Sequence, residues 1–338
     1  MSHAIRIAAS DLAFACAEGQ TVLDAALAAG VELPYSCRTG VCGNCAGGVA
    51  QGSVRGLRGA DQVRNELCAP DQLLFCQCLP TSDLVIAPTS YRRIDPARVQ
   101  RIATKVFRIE RPCDDVTLLH LRPPAGVRVK FRAGQYLEVL MDDASRRSYS
   151  MANPPQESDA ISLHVRLLEG GAFSGRLASL RPGDPVPIEL PFGSFSLREE
   201  TQRPLLFVAG GTGFAPVKSM LDDMVKRKID RPATLVWGVR RAEHLYLMAA
   251  VERWRRLLPG FRFQAVVSDG PAPPAPAVSG LAHTAIAALC PALAGHEVYS
   301  CGAPPMVAAV REAAVALGLA RADFHSDVFV TTAPAAQG

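Results

Sequence analysis

The sequence predicts a multidomain protein with three parts: a small β-grasp unit, an antiparallel β-barrel, and an α/β domain built on a parallel sheet. Three observations predict this fold. Cysteines with a distinctive spacing lie within residues 1–92, short β-rich runs punctuated by proline and glycine fill residues 98–200, and strands alternate with helices over residues 203–332. We therefore expect one domain in each of these three ranges.

The first domain begins with two short strands and a turn in the segment IRIAASDLAFACAEG. Thr21 then opens a helix in TVLDAALAAG, because Asp24 three positions later resembles a capping box and Gly30 marks the helix end. Residues 84–86 (LVI) predict a closing strand. The next segment, PTSYRRIDPARVQ, contains two prolines and is expected to be a linker.

Four cysteines carry the chemistry of this domain: Cys37, Cys42 and Cys45 in YSCRTGVCGNCAGG, and Cys76 in LLFCQC. A C-x4-C-x2-C run followed by a distant cysteine is the plant-type ligand set of a [2Fe–2S] cluster. A structural zinc site and buried free thiols are the alternatives, but zinc sites usually pair two C-x-x-C motifs or combine cysteine with histidine. Cys78 is an alternative fourth ligand, and we take Cys76 because it keeps the expected gap.

The composition argues against nucleic-acid and membrane partners. The chain carries 36 Lys and Arg against 32 Asp and Glu, a formal net charge of +4, and no apolar run approaches a transmembrane span. The beginning of the chain lacks a signal-peptide pattern, so we expect a cytoplasmic protein whose cysteines bind metal rather than form disulfides. Four further cysteines are expected to be small buried residues or spares: Cys16, Cys68, Cys113 and Cys290.

Short apolar runs over residues 98–200 are typical of an antiparallel barrel: RIATKVFRI, VTLLHLR, QYLEVLM, ISLHVRLL and PVPIEL. Among them lies the tetrapeptide Arg147-Ser148-Tyr149-Ser150. An arginine beside hydroxyl groups suits a flavin phosphate, and the tyrosine ring can lie against an isoalloxazine. Alone, the tetrapeptide also fits a plain strand with an exposed arginine, and it does not distinguish FAD from FMN.

Two further segments favour a flavin site. His164-Val165-Arg166 lies on the next strand, and Gly171-Ala172-Phe173-Ser174 opens a predicted helix. A glycine with a serine at a helix N-terminus can bind a pyrophosphate through free backbone N–H groups.

Strands and helices alternate from residue 204, as in PLLFVA, FAPVKSMLDDMVKRK, TLVWGV and HLYLMAAVERWRRL, and this predicts a parallel sheet with helices on both faces. Gly210-Gly211-Thr212-Gly213-Phe214-Ala215-Pro216 follows the first strand and opens the first helix, which is the context of a dinucleotide phosphate loop. Pro216 takes the place of the last glycine of G-x-G-x-x-G, so a simple glycine-rich turn is the alternative. The segment PAPPAP at 271–276 predicts a surface loop.

Residues at the ends of two predicted strands are candidates for binding the nicotinamide coenzyme. Arg240 and Arg241 follow TLVWGV, where an acidic residue would hold an NAD ribose, and two arginines would favour the 2′-phosphate of NADPH. Glu243 weakens this interpretation, and solvated surface arginines are the alternative. Cys301-Gly302 ends the strand EVYSCG, where a small thiol could pack against a nicotinamide ring or be a buried structural residue.

Taken together, CRTGVCGNC…C, RSYS, GAFS, GGTGFAP and YSCG, in this order, resemble the one-chain reductases of bacterial oxygenases, which join ferredoxin, flavin and nicotinamide domains. The resemblance covers nearly the whole chain. The stretches RSYSMANPP, IELPFGS and GGTGFAPVKSMLDD most resemble the branch that serves terephthalate 1,2-dioxygenases. The resemblance implies a ferredoxin-reductase-like fold, FAD, a preference for NADPH with NADH possible, and a Rieske-type oxygenase partner acting on an aromatic dicarboxylate.

The resemblance also implies residue roles. Hydride would pass from the coenzyme to the flavin, and the cluster would carry single electrons to the oxygenase. Ser150 is expected near the flavin N5, Cys301 near the nicotinamide, and Phe329 at the position of a flavin-shielding aromatic residue, with the tail TTAPAAQG beyond it. A reductase of a diiron monooxygenase or a sugar-deoxygenating system, and a ferredoxin-type carrier or sensor without steady turnover, are the alternatives. A monomer is the expectation from the family.

Overall fold

Two units make up the molecule in the computed structural model, as defined by contacts between residues. The first unit consists of three segments: Met1–Val99, Gly193–Phe195 and Ser326–Val330. The second unit holds the rest of the chain. The structure describes residues 2–59, 63–270 and 277–330. The surface loop predicted at 271–276 and the tail after Val330 lie outside the described residues.

The first unit is built around a mixed sheet. Its elements are β1 (Ser2–Ile7), β2 (Ala13–Ala17), α1 (Val22–Ala28), β3 (Val31–Glu32), β4 (Ala46–Gln51), β5 (Val54–Gly56), β6 (Gln72–Leu74), β7 (Cys78–Pro80), β8 (Leu84–Pro88) and β9 (Arg92–Arg93). Five strands form the main sheet in the order β2-β1-β8-β4-β6, with β1 and β8 parallel. The predicted strands and the predicted helix are confirmed. Thr21 caps α1, since its hydroxyl accepts a hydrogen bond from Asp24 N at 3.1 Å.

The segment predicted as a linker is bound to the first unit along most of its length. Strand β9 pairs antiparallel with β3, and Ile94 N donates to Gly30 O at 2.8 Å. Glu32 is buried and forms ion pairs with Arg92 and with Arg98, the latter at 2.6 Å. A buried carboxylate needs such partners, because an unpaired buried charge is strongly destabilising. The part of this segment that is not bound to the first unit is therefore shorter than the linker predicted from the two prolines.

Six antiparallel strands form the predicted barrel in the second unit. They are β10 (Gln100–Glu110), β11 (Val116–Arg122), β12 (Tyr136–Leu140), β13 (Arg146–Ser150), β14 (Ile161–Arg166) and β15 (Pro185–Phe192). The order is β13-β12-β15-β10-β11-β14, and an isolated bridge between Met151 and Leu163 joins the two ends. Alternate residues such as Ile102 and Val106 point into the apolar core, as the period of two in a strand requires.

The rest of the second unit is an α/β layer structure. Its elements are β16 (Leu205–Gly210), α2 (Phe214–Arg227), β17 (Ala233–Val239), α3 (Met248–Leu257), β18 (Arg262–Val267), β19 (Ala277–Ser279), α4 (Ile286–Leu289), β20 (Glu297–Gly302), α5 (Pro304–Ala316) and the first two residues of β21 (Phe324–Val328), whose last three residues belong to the first unit. The strand order is β19-β18-β17-β16-β20-β21, and the pairs from β19 to β20 are parallel.

In this order β16 lies between β17 and β20, so the chain changes direction across the sheet at β16. Ligands of such sheets bind at the carboxyl ends of the strands beside this point. The carboxyl ends of β16 and β20 carry the glycine run and Cys301. None of the helices in the described part of the chain is long and apolar enough to cross a membrane.

Candidate functional site

The cysteine loop, residues 35–45, lies between β3 and β4 and contains three of the four predicted cluster ligands. Cys37 Sγ lies 3.2 Å from Cys42 Sγ. Cys45 forms a second hydrogen-bonded thiol pair with Cys76, and each pair is close enough to the other to interact electrostatically. The structure therefore brings the four predicted thiols together in one place.

Backbone N–H groups of the loop point at the sulfurs. Thr39 N and Cys42 N both donate to Cys37 Sγ at 3.4 Å, and Gly40 N donates to the sulfur of Cys76. Gly40 has a φ of +86°, a left-handed conformation that glycine adopts without strain. Four thiols that accept N–H hydrogen bonds from a tight loop are the donor set that a [2Fe–2S] cluster needs. The residues present thus fit this cluster.

The thiols differ in acidity within each pair. The hydrogen bond from the Cys42 thiol lowers the pKa of Cys37 to about 5, and the hydrogen bond with Cys45 lowers the pKa of Cys76. The same two bonds raise the pKa values of Cys42 and Cys45 well above their usual range. One member of each pair therefore loses its proton more readily than the other, and the thiolate is the form that binds iron.

Cys78, the alternative fourth ligand, has a different environment. It lies on β7 opposite Gly56, and its side chain is fully buried. Burial raises the pKa of the Cys78 thiol to about 12, so it is kept as a neutral apolar residue. Cys76 instead interacts with Cys45 and accepts a hydrogen bond from Gln77 Nε2 at 3.4 Å. This contrast favours Cys76 as the ligand.

The predicted spare cysteines are partly in the expected environment. Cys16 and Cys290 are buried, whereas Cys68 and Cys113 are half-buried. Cys113 lies beside two carboxylates, Asp114 and Asp115.

The RSYS tetrapeptide lies on β13, as predicted, and alternates across the strand. Arg147 and Tyr149 are half-buried, Ser148 is exposed and Ser150 is buried. The Tyr149 ring packs 5.3 Å from the ring of Phe173, and burial raises the pKa of its phenol to about 12. Arginine and tyrosine at positions i and i+2 share one face of the strand, so one side of β13 offers both a cation and a neutral aromatic ring.

The three residues of the segment His164-Val165-Arg166 lie in three different environments. Val165 is fully buried in the barrel core. His164 is buried, and its Nδ1 lies 3.0 Å from the Tyr246 hydroxyl oxygen. Burial holds the pKa of the His164 imidazole well below its usual range. Arg166 Nε lies 3.1 Å from Asp115 Oδ2. A methyl group at Gly211 would lie 2.8 Å from the Arg166 guanidinium, so this arginine borders the glycine run.

The predicted helix after Gly171 is a short 3-10 helix over Ser174–Ala178. The Ser174 hydroxyl is buried and is used within its own loop, where it bonds to Leu168 N at 3.2 Å and Leu168 O at 3.3 Å. A methyl group at Gly171 would lie 2.2 Å from Ser174 Oγ. The Ser174 hydroxyl therefore closes the turn, and Gly171 N and Gly175 N also donate within it, to Leu168 O and Gly171 O.

The glycine run joins β16 to α2 through a 3-10 turn at Gly211–Gly213, as the strand–turn–helix prediction requires. Gly211 has a φ of +54°, and its carbonyl accepts a hydrogen bond from Trp237 Nε1 at 3.0 Å. A methyl group at Gly213 would lie 2.2 Å from the carbonyl oxygen of Cys301. The structure thus places the predicted phosphate loop against the predicted nicotinamide position. The run also contains the predicted site residues Gly210, Thr212 and Pro216. Gly210 packs against Gly302 at the end of β20.

Arg240 and Arg241 are not equivalent. Arg241 is held by Asp114 and by Glu243, whose Oε1 lies 2.7 Å away, and the hydrogen bond to Asp114 raises its pKa. Arg240 is exposed and forms no ion pair within the described residues. Its carbonyl oxygen accepts a hydrogen bond from Asp269 N at 2.8 Å. Of these two arginines, Arg240 is therefore the one that no carboxylate in the described residues binds.

Several residues around the site were not found from the sequence. Asp114 and Tyr246 contact predicted site residues that lie 127 and 82 positions away in the chain. No local pattern marks them. Phe329, the predicted flavin-shielding residue, is half-buried and belongs to the first unit with its neighbours Ser326–Val330.

Four gathered thiols, an antiparallel barrel and a parallel sheet with a glycine-rich turn define the class: a flavin and iron–sulfur oxidoreductase that uses NAD(P)H. Comparison with family models agrees. Residues 5–81 match the 2Fe-2S iron-sulfur cluster binding domain, residues 103–197 the oxidoreductase FAD-binding domain, and residues 207–312 the oxidoreductase NAD-binding domain.

Individual relatives cover the whole chain. The terephthalate 1,2-dioxygenase reductase components 2 and 1 of Comamonas sp are 51% and 50% identical over 98% of this chain and 98% of their own. The crystal structure of the Amycolatopsis cytochrome P450 reductase GcoB is 30% identical with a TM-score of 0.78, and covers 97% of this chain and 98% of its own. This chain belongs to the family of one-chain reductases that combine 2Fe–2S, FAD and NAD domains. The predicted fold class and cofactors, [2Fe–2S] and FAD, are confirmed.

Proposed function

We propose that this reductase passes electrons from NADPH to a Rieske-type aromatic-ring dioxygenase, terephthalate 1,2-dioxygenase. One observation carries the proposal: two relatives that are 51% and 50% identical along nearly the full chain are reductase components of that dioxygenase. When bound, the flavin accepts hydride and the cluster passes on single electrons.

In this proposal the four gathered thiols hold the cluster: Cys37, Cys42, Cys45 and Cys76. The loop N–H groups that donate to Cys37 Sγ favour its thiolate form. The flavin-binding residues are Arg147, Ser148, Tyr149, Ser150, His164, Val165, Arg166, Gly171, Ser174 and Phe329. Among them, the guanidinium of Arg147 would hold a flavin phosphate, and Tyr149 would offer a neutral aromatic ring to the flavin.

Ser150 is the proposed hydrogen-bonding partner of the flavin N5. It is only 5% exposed and pairs with Tyr136 across β12 and β13. Ser150→Ala should slow reduction of the flavin by NADPH in stopped flow, whereas Ser179→Ala, at an exposed serine outside the proposed flavin-binding residues, should not change this rate. An unchanged rate in Ser150→Ala would remove this role.

The nicotinamide site is proposed to lie at the carboxyl ends of β16 and β20. The turn Gly210–Gly213 and Pro216 open α2, whose first-turn N–H groups attract phosphate. The backbone carbonyl of Cys301 lies against this turn, and the proposal places the nicotinamide ring beside this buried residue. Arg240 reads the 2′-phosphate of NADPH, with Arg241 in a lesser role because two carboxylates already bind it.

We further propose domain boundaries at 1–92, 98–200 and 203–332, and a monomeric cytoplasmic enzyme without nucleic-acid or membrane partners. The small net charge of +4 supports the last point, since nucleic-acid binding requires a concentrated basic surface. Analytical ultracentrifugation would test the monomer directly.

The deciding experiment is reconstitution. The purified reductase is mixed with a purified terephthalate dioxygenase, terephthalate, O₂ and NADPH, and terephthalate consumption is measured together with NADPH oxidation. Cytochrome c reduction without terephthalate turnover would keep the reductase and reject this partner, in favour of a diiron monooxygenase or a sugar-deoxygenating system. Bleaching of the visible spectrum without any turnover would favour a carrier or sensor.

A further inference from the structure

The end of β21 is joined to the cysteine loop by a reciprocal pair of hydrogen bonds. Ser326 Oγ donates to Asn44 Oδ1 at 2.7 Å, and Asn44 Nδ2 donates to Ser326 O. The two residues are 282 positions apart in the chain, and both belong to the first unit. Both hydrogen-bonding ends of the Asn44 amide are therefore used by one residue of the C-terminal strand.

The next residue of the strand makes a second connection to the same loop. Ser36 Oγ donates to Asp327 Oδ1 at 2.5 Å. Ser36 is 4% exposed and Asp327 is 5% exposed, so this bond is shielded from water. Charge-assisted hydrogen bonds are the stronger class, and a buried carboxyl group without such partners would be strongly destabilising.

The two connections lie on either side of Cys37 and Cys42 in the cysteine loop. Ser36 directly precedes Cys37, and Asn44 lies between Cys42 and Cys45. Asn44 N also donates to Cys42 Sγ at 3.5 Å, so a shift of Asn44 moves an N–H group that points at a ligand sulfur. Hydrogen bonds to the sulfurs and exposure to solvent are what set the potential of such a cluster.

We propose that Ser326 and Asp327 are positioning residues for the iron–sulfur cluster: the end of the C-terminal strand fixes both ends of the cysteine loop. Residues beyond the first contact layer commonly orient metal ligands and tune the metal in this way. The proposal rests on the proposed cluster ligands, and it adds a role for a segment that lies some 280 residues further along the chain.

The test compares Ser326→Ala and Asp327→Asn with Val330→Ala, a control in the same segment whose side chain is 37% exposed. The readouts are iron and sulfide content, the rate of cluster loss in a chelator, and the EPR spectrum and midpoint potential of the reduced cluster. We expect both strand variants to lose the cluster about 5- to 30-fold faster than the wild type, because the loss of one or two interactions changes an equilibrium by about this factor. The midpoint potential of the cluster should also shift. Flavin reduction by NADPH should be unchanged.

A double-mutant cycle isolates the pair. Ser326→Ala removes only the bond to Asn44 Oδ1, because the Ser326 carbonyl remains, whereas Asn44→Ala removes both bonds. Asn44→Ala should therefore have at least the effect of Ser326→Ala, and the double variant should be no worse than Asn44→Ala alone. If Ser326→Ala does not fold, Asn44→Ala, whose side chain is only half-buried, carries the test. Cluster-loss rates, spectra and potentials equal to those of Val330→Ala would overturn the proposal. A wild-type protein without iron or an EPR signal would instead reject the proposed cluster ligands.

Discussion

Gly213 is packed so closely that one added methyl group tests whether the glycine-rich turn positions the coenzyme. A Cβ at this position would lie 2.2 Å from the Cys301 carbonyl oxygen and 2.6 Å from its carbonyl carbon. The backbone itself does not require glycine, since φ is −57° and ψ is −10°. The strain in Gly213→Ala therefore comes from lack of space alone.

The size of the effect follows from these distances. Ordinary van der Waals contact begins near 3.4 Å, so the turn and β20 must separate by about 1.2 Å, the difference between 3.4 and 2.2 Å. Overpacking of this kind costs about 1–3 kcal/mol. Each kcal/mol lowers the melting temperature by roughly 2–4 °C in a unit of 150–250 residues. A misplacement of about 1 Å between reacting groups can cost a further 100-fold in rate.

The assay is stopped-flow bleaching of the flavin by NADPH, with scanning calorimetry on the same samples. Gly175→Ala is the matched control, because a Cβ there meets no atom within 4 Å. We expect flavin reduction to slow about 100-fold and the melting temperature to fall in Gly213→Ala only. If the two variants have equal rates and equal melting temperatures, the turn does not position the coenzyme as we infer.

Three further predictions use other parts of the molecule. Cys76→Ser should abolish the cluster EPR signal and Cys78→Ser should keep it; the reverse would exchange the two assignments. Arg240→Ala should raise the KM for NADPH about 10- to 100-fold more than that for NADH, the range expected for a lost charge-assisted hydrogen bond, and Arg241→Ala should have a smaller effect. Equal effects on both coenzymes would remove the 2′-phosphate role. Burial lowers the pKa of His325 from 6.5 to about 4, so the folded state binds fewer protons than the unfolded state between these values. Stability should therefore fall as the pH drops from 6.5 towards 4, and less steeply in His325→Asn, as measured by urea unfolding across this range.

Elements that depend on short-range pattern were predictable from the sequence. Thr21 caps α1 because a hydroxyl side chain can reach an N–H three residues later, which is a local property. The glycine run had to follow a strand and open a helix, and it does so at Gly210 and Phe214. The barrel strands alternate apolar and polar residues with a period of two, so the strands could be predicted from the sequence. The bridge between Met151 and Leu163 that closes the barrel could not be predicted.

Roles that depend on distant partners were not predictable. Arg240 and Arg241 are adjacent and look alike in the sequence, but only Arg241 meets Asp114, which lies in the connection between β10 and β11. The same limit applies to Asn44, whose partner Ser326 is 282 residues away. A single sequence carries no signal for such contacts, because Asp114 and Ser326 sit in no motif and periodicity reports only on the nearest turns of the chain.

The first unit consists of three chain segments, so a domain boundary at residue 92 describes only one of them. Tyr35 is 1% exposed, and its hydroxyl accepts a hydrogen bond from Gly193 N at 2.8 Å. Tyr35 N also donates to Ser194 Oγ at 2.8 Å. A buried polar group left without its partner costs about 1–3 kcal/mol, so residues 193–195 and 326–330 each satisfy groups that the N-terminal segment alone would bury unpaired. The unit that holds the cysteine loop is therefore a product of three stretches of chain, and the loop's geometry depends on segments that follow the barrel and that end the parallel sheet.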